Sequence, residues 1–73
     1  MAIIEVRSEI TGKVWRLDAS MGEMLGEEAP IMTLESMKME IPVLAPVAGR
    51  LKELLVAEGE PVKEGQVVAR LET

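Results

Sequence analysis

Seventy-three residues with 48% hydrophobic and 29% charged side chains make one small soluble-type domain, 1–73; a chain of this size buries only about 60–65% of its unfolded surface, too little for a large enclosed active site. The net charge of −5 excludes the basic patches that nucleic-acid binding requires. With no Cys and no His, the chain lacks disulfides, thiolate metal sites and the commonest general base, so a self-sufficient enzyme is not expected. No apolar run approaches the roughly 20 residues of a membrane helix, and the N-terminus has no signal-peptide pattern. The cytoplasm is the expected location, with no membrane partner.

In chain order, residues 2–6 read as a first strand, with Ile4 and Val6 on one face and Glu5 on the other. A second extended stretch runs from Gly12 to Leu17. Val14 and Leu17 are three apart, so strict alternation fails there and a bulge or strand end is expected. Residues 18–28 form an acidic loop with room for a very short strand at Met24-Leu25. Residues 30–36 form a strand that opens on Pro30, with Met32, Leu34 and Ser36 on one side and Ile31, Thr33 and Glu35 on the other. Residues 39–44 form the next, with Met39, Ile41 and Val43 on one face and Pro42 marking an edge. Residues 47–55 are read as strand despite the helix-like Leu-Lys-Glu-Leu-Leu run, because Gly59 and Pro61 break any continuation. A second acidic loop, 57–64, leads through Gly65 to a closing strand over 66–72.

The chain is also a repeat. A shift of 37 positions (Gly49 minus Gly12) superposes residues 2–36 on 39–73 without a gap. Ile4/Ile41, Val6/Val43, Gly12/Gly49, Leu17/Leu54, Gly22/Gly59, Glu23/Glu60, Glu27/Glu64, Leu34/Leu71 and Glu35/Glu72 are identical; about two identities would arise by chance from average usage. Each half supplies about four short strands and cannot bury its own apolar face. Two copies related by a pseudo-two-fold can close on one another, which predicts an all-β fold with Leu34, Leu71, Ile41, Val43, Ile4 and Val6 largely buried. Asp18, Glu23, Glu27, Glu28, Glu58, Glu60 and Glu64 are expected to be solvated.

Only Met37 and Lys38 belong to neither copy, which puts them at a two-residue hairpin tip. Such tips favour Asn-Gly because both central residues need φ > 0, and Met-Lys breaks that preference. A surface lysine usually only adds solubility. Here it stands at the symmetry point, bracketed by Met37 and Met39 and flanked by Glu35 and Glu40, and a local rule broken at an exposed tip points to function. Methionines more often fill core gaps than mark recognition surfaces; Met39 shares the face of Ile41 and is a candidate core residue, whereas Met37 is the more exposed.

Glu35-Ser36-Met37-Lys38-Met39 resembles the biotinyl-lysine motif, usually Glu-Ala-Met-Lys-Met, of biotin carboxyl carrier proteins and biotin/lipoyl attachment domains. The resemblance spans nearly the whole chain, including Ala-Pro-Val-Ala-Gly at 45–49 and Gly-Glu-Pro-Val-Lys-Glu-Gly at 59–65. It implies a flattened, hammerhead-like eight-stranded β-barrel of two antiparallel four-stranded sheets. It further implies that Lys38 carries covalent biotin, added by a biotin protein ligase that recognises Glu35, Ser36, Met37 and Met39. The carrier would be non-catalytic and monomeric, shuttling a carboxyl group from a biotin carboxylase to a carboxyltransferase in an acyl-CoA-type carboxylase. Related lipoyl domains usually carry Asp-Lys-Ala, so the flanking methionines argue for biotin. A lipoyl-type swinging-arm carrier, or an unmodified structural module, is the alternative.

Two positions depart from the family pattern. Ser36 replaces Ala, a small change. Glu28 stands where the pattern and the second half (Gly65) have Gly, so a different loop path or strain is expected there, with Gly26 as a substitute turn residue. The gapless repeat leaves no room for the protruding thumb that some carriers insert in the first half.

Overall fold

The computed structural model describes all 73 residues, and the chain is entirely β. The strands are β1 (Ile3–Arg7), β2 (Gly12–Leu17), β3 (Met24–Leu25), β4 (Pro30–Ser36), β5 (Met39–Leu44), β6 (Gly49–Leu54), β7 (Pro61–Val62) and β8 (Val67–Glu72). Four of the anticipated strands have the expected bounds; β1, β6 and β8 are shifted or shortened by one or two residues at their ends. The run at 51–55 is β-strand as far as Leu54, and Ala45-to-Ala48 turns outside the sheet.

Two antiparallel four-stranded sheets form, ordered β1-β8-β6-β3 and β5-β4-β2-β7. Adding four to each strand number, cyclically, converts one order into the other, so the sequence repeat is a structural pseudo-two-fold. Each sheet mixes strands from both halves, so neither half is a folding unit by itself. One apolar cluster joins the sheets face to face, with Val6, Leu51, Val68 and Leu71 from the first and Val14, Ile31, Leu34 and Val43 from the second. At about 25 cal/mol per Å² of apolar area, this shared burial is the main favourable term.

The expected irregularity in β2 is a bulge: the β2–β4 register shifts between Val14 and Arg16, leaving Trp15 unpaired. Its repeat partner Lys52 sits at the equivalent shift between Leu51 and Glu53. Trp15 is exposed, with the Arg16 guanidinium 4.6 Å from its ring centroid.

Several expectations need correction. Ile4 and Ile41 are only half-buried, because β1 and β5 are the outer strands of their sheets and lack a neighbour on one side. Alternation also fails along β4, where Ile31, Met32, Thr33 and Leu34 are all buried. β4 lies between β5 and β2, and a register shift between Pro30 and Met32 rotates the following side chains. Thr33 is covered by Asp18, whose Oδ2 accepts its hydroxyl at 2.8 Å, while Oδ1 pairs with Arg16 at 2.6 Å. Asp18 is therefore mostly covered, unlike Glu23, Glu27, Glu28, Glu58, Glu60 and Glu64, which are exposed.

Glu28 follows the same path as Gly65, not a different one. Its φ is 69°, against 87° for Gly65, and Gly26 stays outside the positive-φ region. Glu28 N–H donates to the Ala45 carbonyl at 2.8 Å, as Gly65 N–H does to Ser8 at 2.7 Å. A side chain at Gly65 would meet nothing within 4 Å, so this turn charges a side chain only for backbone conformation. Left-handed geometry costs a non-glycine residue about 1–2 kcal/mol, partly offset by the greater unfolded-state freedom of glycine. Glu28→Gly is therefore expected to stabilise the fold by about 0.5–1 kcal/mol, raising Tm by roughly 2–8 °C in a thermal melt. An unchanged or lower Tm would mean that the Glu28 side chain contributes contacts of its own.

At the chain ends, Thr73 N–H donates to the Ala2 carbonyl at 2.9 Å and Ala2 N–H to the Thr73 carbonyl at 3.3 Å. This pair is the pseudo-symmetric counterpart of Ser36 and Met39, which face each other at the base of the β4–β5 hairpin.

Candidate functional site

The β4–β5 hairpin pairs Leu34 with Ile41, Glu35 with Glu40 and Ser36 with Met39, leaving Met37-Lys38 as its two-residue turn. Both central residues have positive φ, 52° and 66°, as a type I′ turn requires. Neither is the Asn or Gly that this geometry favours, so the turn holds two side chains in a conformation costing about 1–2 kcal/mol each. What it gains is presentation. Met37 is 90% exposed, and Lys38 is exposed with no ion pair.

Met39 is 59% exposed and not a core residue, although it shares the face of Ile41. It is the first residue of an outer strand, beyond the end of the apolar cluster. The two methionines thus flank the amine as accessible, flexible apolar groups. Behind them Glu35 and Glu40 face each other directly, both exposed. Like charges in that position disfavour pairing, so they are not present for the strength of the ladder. Every residue of the 35–40 segment singled out in the sequence therefore converges on one tip.

What holds the tip was less visible. Ser36 Oγ donates to the Thr11 carbonyl at 3.0 Å, and the Thr11 hydroxyl accepts from Glu64 N–H at 3.1 Å. Thr11 thus ties the hairpin base to the loop preceding Gly65. At the symmetry-related end Ala48 replaces Thr11, so the brace exists only beside Lys38. Gly12 completes it: a Cβ there would lie 2.6 Å from the Glu35 carbonyl oxygen and 3.3 Å from Ser36 Cβ. Gly49 stands in the same relation to Glu72. The Gly12/Gly49 identity was the available signal; Thr11 had none.

Chemically, the site offers one exposed primary amine on the turn, with no ion pair to it and the Ser36 hydroxyl committed to Thr11. Forming an amide on that amine needs an activated acyl donor and a proton acceptor from another protein. An exposed amine on a clear tip fits such a covalently attached group.

Three comparisons bear on this geometry. A family model described as "Biotin-requiring enzyme" matches residues 3–71. The chain is 42% identical over 65 residues to a biotinylated protein TB7.3 homolog of Mycobacterium leprae (strain TN), covering 89% of this chain and 92% of that one. It is 36% identical over 66 residues to a biotin/lipoyl attachment protein of Bacillus subtilis (strain 168), covering 90% of each. Among solved structures, the urea carboxylase of Kluyveromyces lactis superposes with a TM-score of 0.94 at 28% identity. That match takes in 99% of this chain but 6% of the carboxylase. Matched along nearly its whole length, by both sequence and fold, the chain belongs to the biotin/lipoyl attachment domain family.

Proposed function

We propose that the protein is a biotin carboxyl carrier whose single attachment point is the Nζ of Lys38. The observation that carries this reading is the turn itself: two non-glycine residues at positive φ, outside both repeats, holding an unpaired amine beside an almost fully exposed methionine. Biotin over lipoyl is supported by the two methionines that bracket Lys38 and by the relative described as biotinylated. The lipoyl-type arm is the second reading, since the Bacillus relative is described by both groups.

Each residue has a part. Lys38 supplies the nucleophile: its Nζ forms an amide with the biotinyl carbonyl of an activated donor, the bond to the donor's activating group breaks and that group leaves, and the amine's proton passes to the biotin protein ligase. Met37 and Met39 give that ligase apolar grips on either side, while Glu35 and Ser36 extend the recognised segment along β4. Bound there, biotin supplies an exchangeable site for an activated carboxyl group. The barrel's task is reach: a rigid body that advances its tip into a biotin carboxylase and then a carboxyltransferase, giving a high effective concentration at each. An acyl-CoA-type carboxylase is the proposed setting, with the chain itself performing no catalysis.

Co-production with a biotin protein ligase, followed by intact mass and peptide mapping, tests the reading. One biotinyl addition is expected, on the peptide containing Lys38. A lipoyl addition under matched competition, or modification of Lys13, Lys52 or Lys63 at comparable level, would overturn it.

A further inference from the structure

The pseudo-two-fold is broken at one flank. Arg7 reaches across to the Gly65 carbonyl, Nη1 to O 2.8 Å, and spans the space beside that turn. In the other copy the equivalent of Arg7 is Leu44, partly exposed, and the equivalent of Gly65 is Glu28. No side chain hydrogen-bonds across to the Glu28 turn, and an open groove of about 430 Å³ lies there, within the range of small-molecule sites. Ile10, Ile41, Pro42 and Leu44 line it with apolar surface, Glu9 and Glu28 add carboxylates, and Arg7 borders it while keeping its bond to Gly65.

Both walls of the groove lead back to the tip. One wall is β5 from Ile41 onward, and Ile41 with Leu34 is the third residue pair from the turn. The other includes Glu9 and Ile10, immediately before Thr11, the residue that holds Ser36. Ile41 is three residues beyond Lys38, about 10 Å at strand rise. An acylated lysine carrying a valeryl chain has roughly ten bonds between Cα and the biotin ring, ~12 Å at ordinary bond lengths. The ring is therefore within reach. Its chemistry also matches the near end of the groove: a compact bicycle with a thioether for Ile10 and Ile41, and ureido N–H donors for the Glu9 carboxylate.

We infer that this groove is a resting site for the biotin carried on Lys38, occupied between encounters with partner enzymes. The inference rests on the attachment proposed above. A carrier that rests its ring on its own flank shields the ring from water and from premature capture, and yields it when an active site offers a better surface.

The test compares apo and biotinylated wild-type protein by methyl and amide NMR, with intact mass confirming that biotin is on. Biotinylation is expected to shift the methyls of Ile10 and Ile41 far more than Lys38→Gln, which removes the charge without adding the ring. Leu44→Arg, which copies the first repeat into the second, is expected to close the groove. In that variant the groove shifts should fall away, and streptavidin should capture the biotinylated protein several-fold faster. Shifts confined to residues 37–40 in the wild-type pair would overturn the proposal even if Leu44→Arg failed to fold. So would groove shifts that appear only on adding a carboxylase, which would assign the surface to a protein partner. Absence of the biotinyl mass would instead be a failure of the attachment reading.

Discussion

Replacing Lys38 with arginine is expected to reduce biotin incorporation to background while leaving the fold unchanged. The guanidinium keeps the positive charge and the approximate length but is too basic to act as an acyl acceptor. Lys13, Lys52 and Lys63 do not substitute, because none lies on a two-residue turn; Lys13 and Lys52 project from sheet strands, and Lys52 lies 3.8 Å from Glu72. Exchanging Lys38 and Met39 keeps the composition but moves the amine into the ladder opposite Ser36, redirecting it by more than the ~1 Å that a bimolecular attack tolerates. Converting Met37-Lys38 to Asn-Gly should have the opposite effect on stability, raising it by about 2 kcal/mol as the two left-handed residues are relieved, with complete loss of modification. Streptavidin capture with peptide mapping, alongside urea unfolding, reads both quantities. Robust capture of Lys38→Arg would displace Lys38 as the attachment point, and an unchanged Asn-Gly stability would remove the claim that the turn is strained.

The second large effect is expected at Gly12 and Gly49. Added Cβ atoms would sit 2.6 Å from the Glu35 carbonyl oxygen and 2.8 Å from that of Glu72, closer than real Cβ atoms approach backbone. Each alanine substitution should cost about 2 kcal/mol as the strands move apart, lowering Tm by roughly 8–16 °C. The pseudo-two-fold makes each the other's control. Gly12→Ala pushes on Glu35 and Ser36, so it should also slow biotinylation, whereas Gly49→Ala pushes on Glu72 and Thr73 at the symmetry-related end. Compared at a temperature where both are folded, the ligase rate should fall for Gly12→Ala alone. Equal rates would show that the ligase reads the 35–40 segment without regard to how β2 supports it.

The repeat made the architecture legible before any coordinates. It located the turn; the failed alternation of Val14 and Leu17 marked the β2 bulge, whose counterpart at Lys52 appears only in the structure. Burial was harder to read. Alternation along a strand reports only which face a side chain takes, not whether the strand is outer or interior. Ile4, Ile41 and Met39 therefore looked more buried than they are, and Thr33 less. Asp18 was read as one more acidic loop residue because its partners, Arg16 and Thr33, become neighbours only after β2 and β4 pair. At Glu28 the missing glycine suggested a new path or strain, and the structure shows strain: φ is 69° on the old path, held by the hydrogen bond to Ala45.

The mutual hydrogen bonds of Ala2 and Thr73 give the fold a topological property. With Met1 removed, two residues joining Thr73 to Ala2 would turn residues 2–73 into a ring of eight strands with two symmetry-related hairpins, and the ring could then be cut at an acidic loop to give a circular permutant. Glu72 and Thr73 already repeat Glu35 and Ser36. A Met-Lys link would thus present a ligase with a second tip in which Ala2 and Ile3 stand for Met39 and Glu40, so Ala2→Met with such a link would make the domain a ditopic carrier for one or two prosthetic arms.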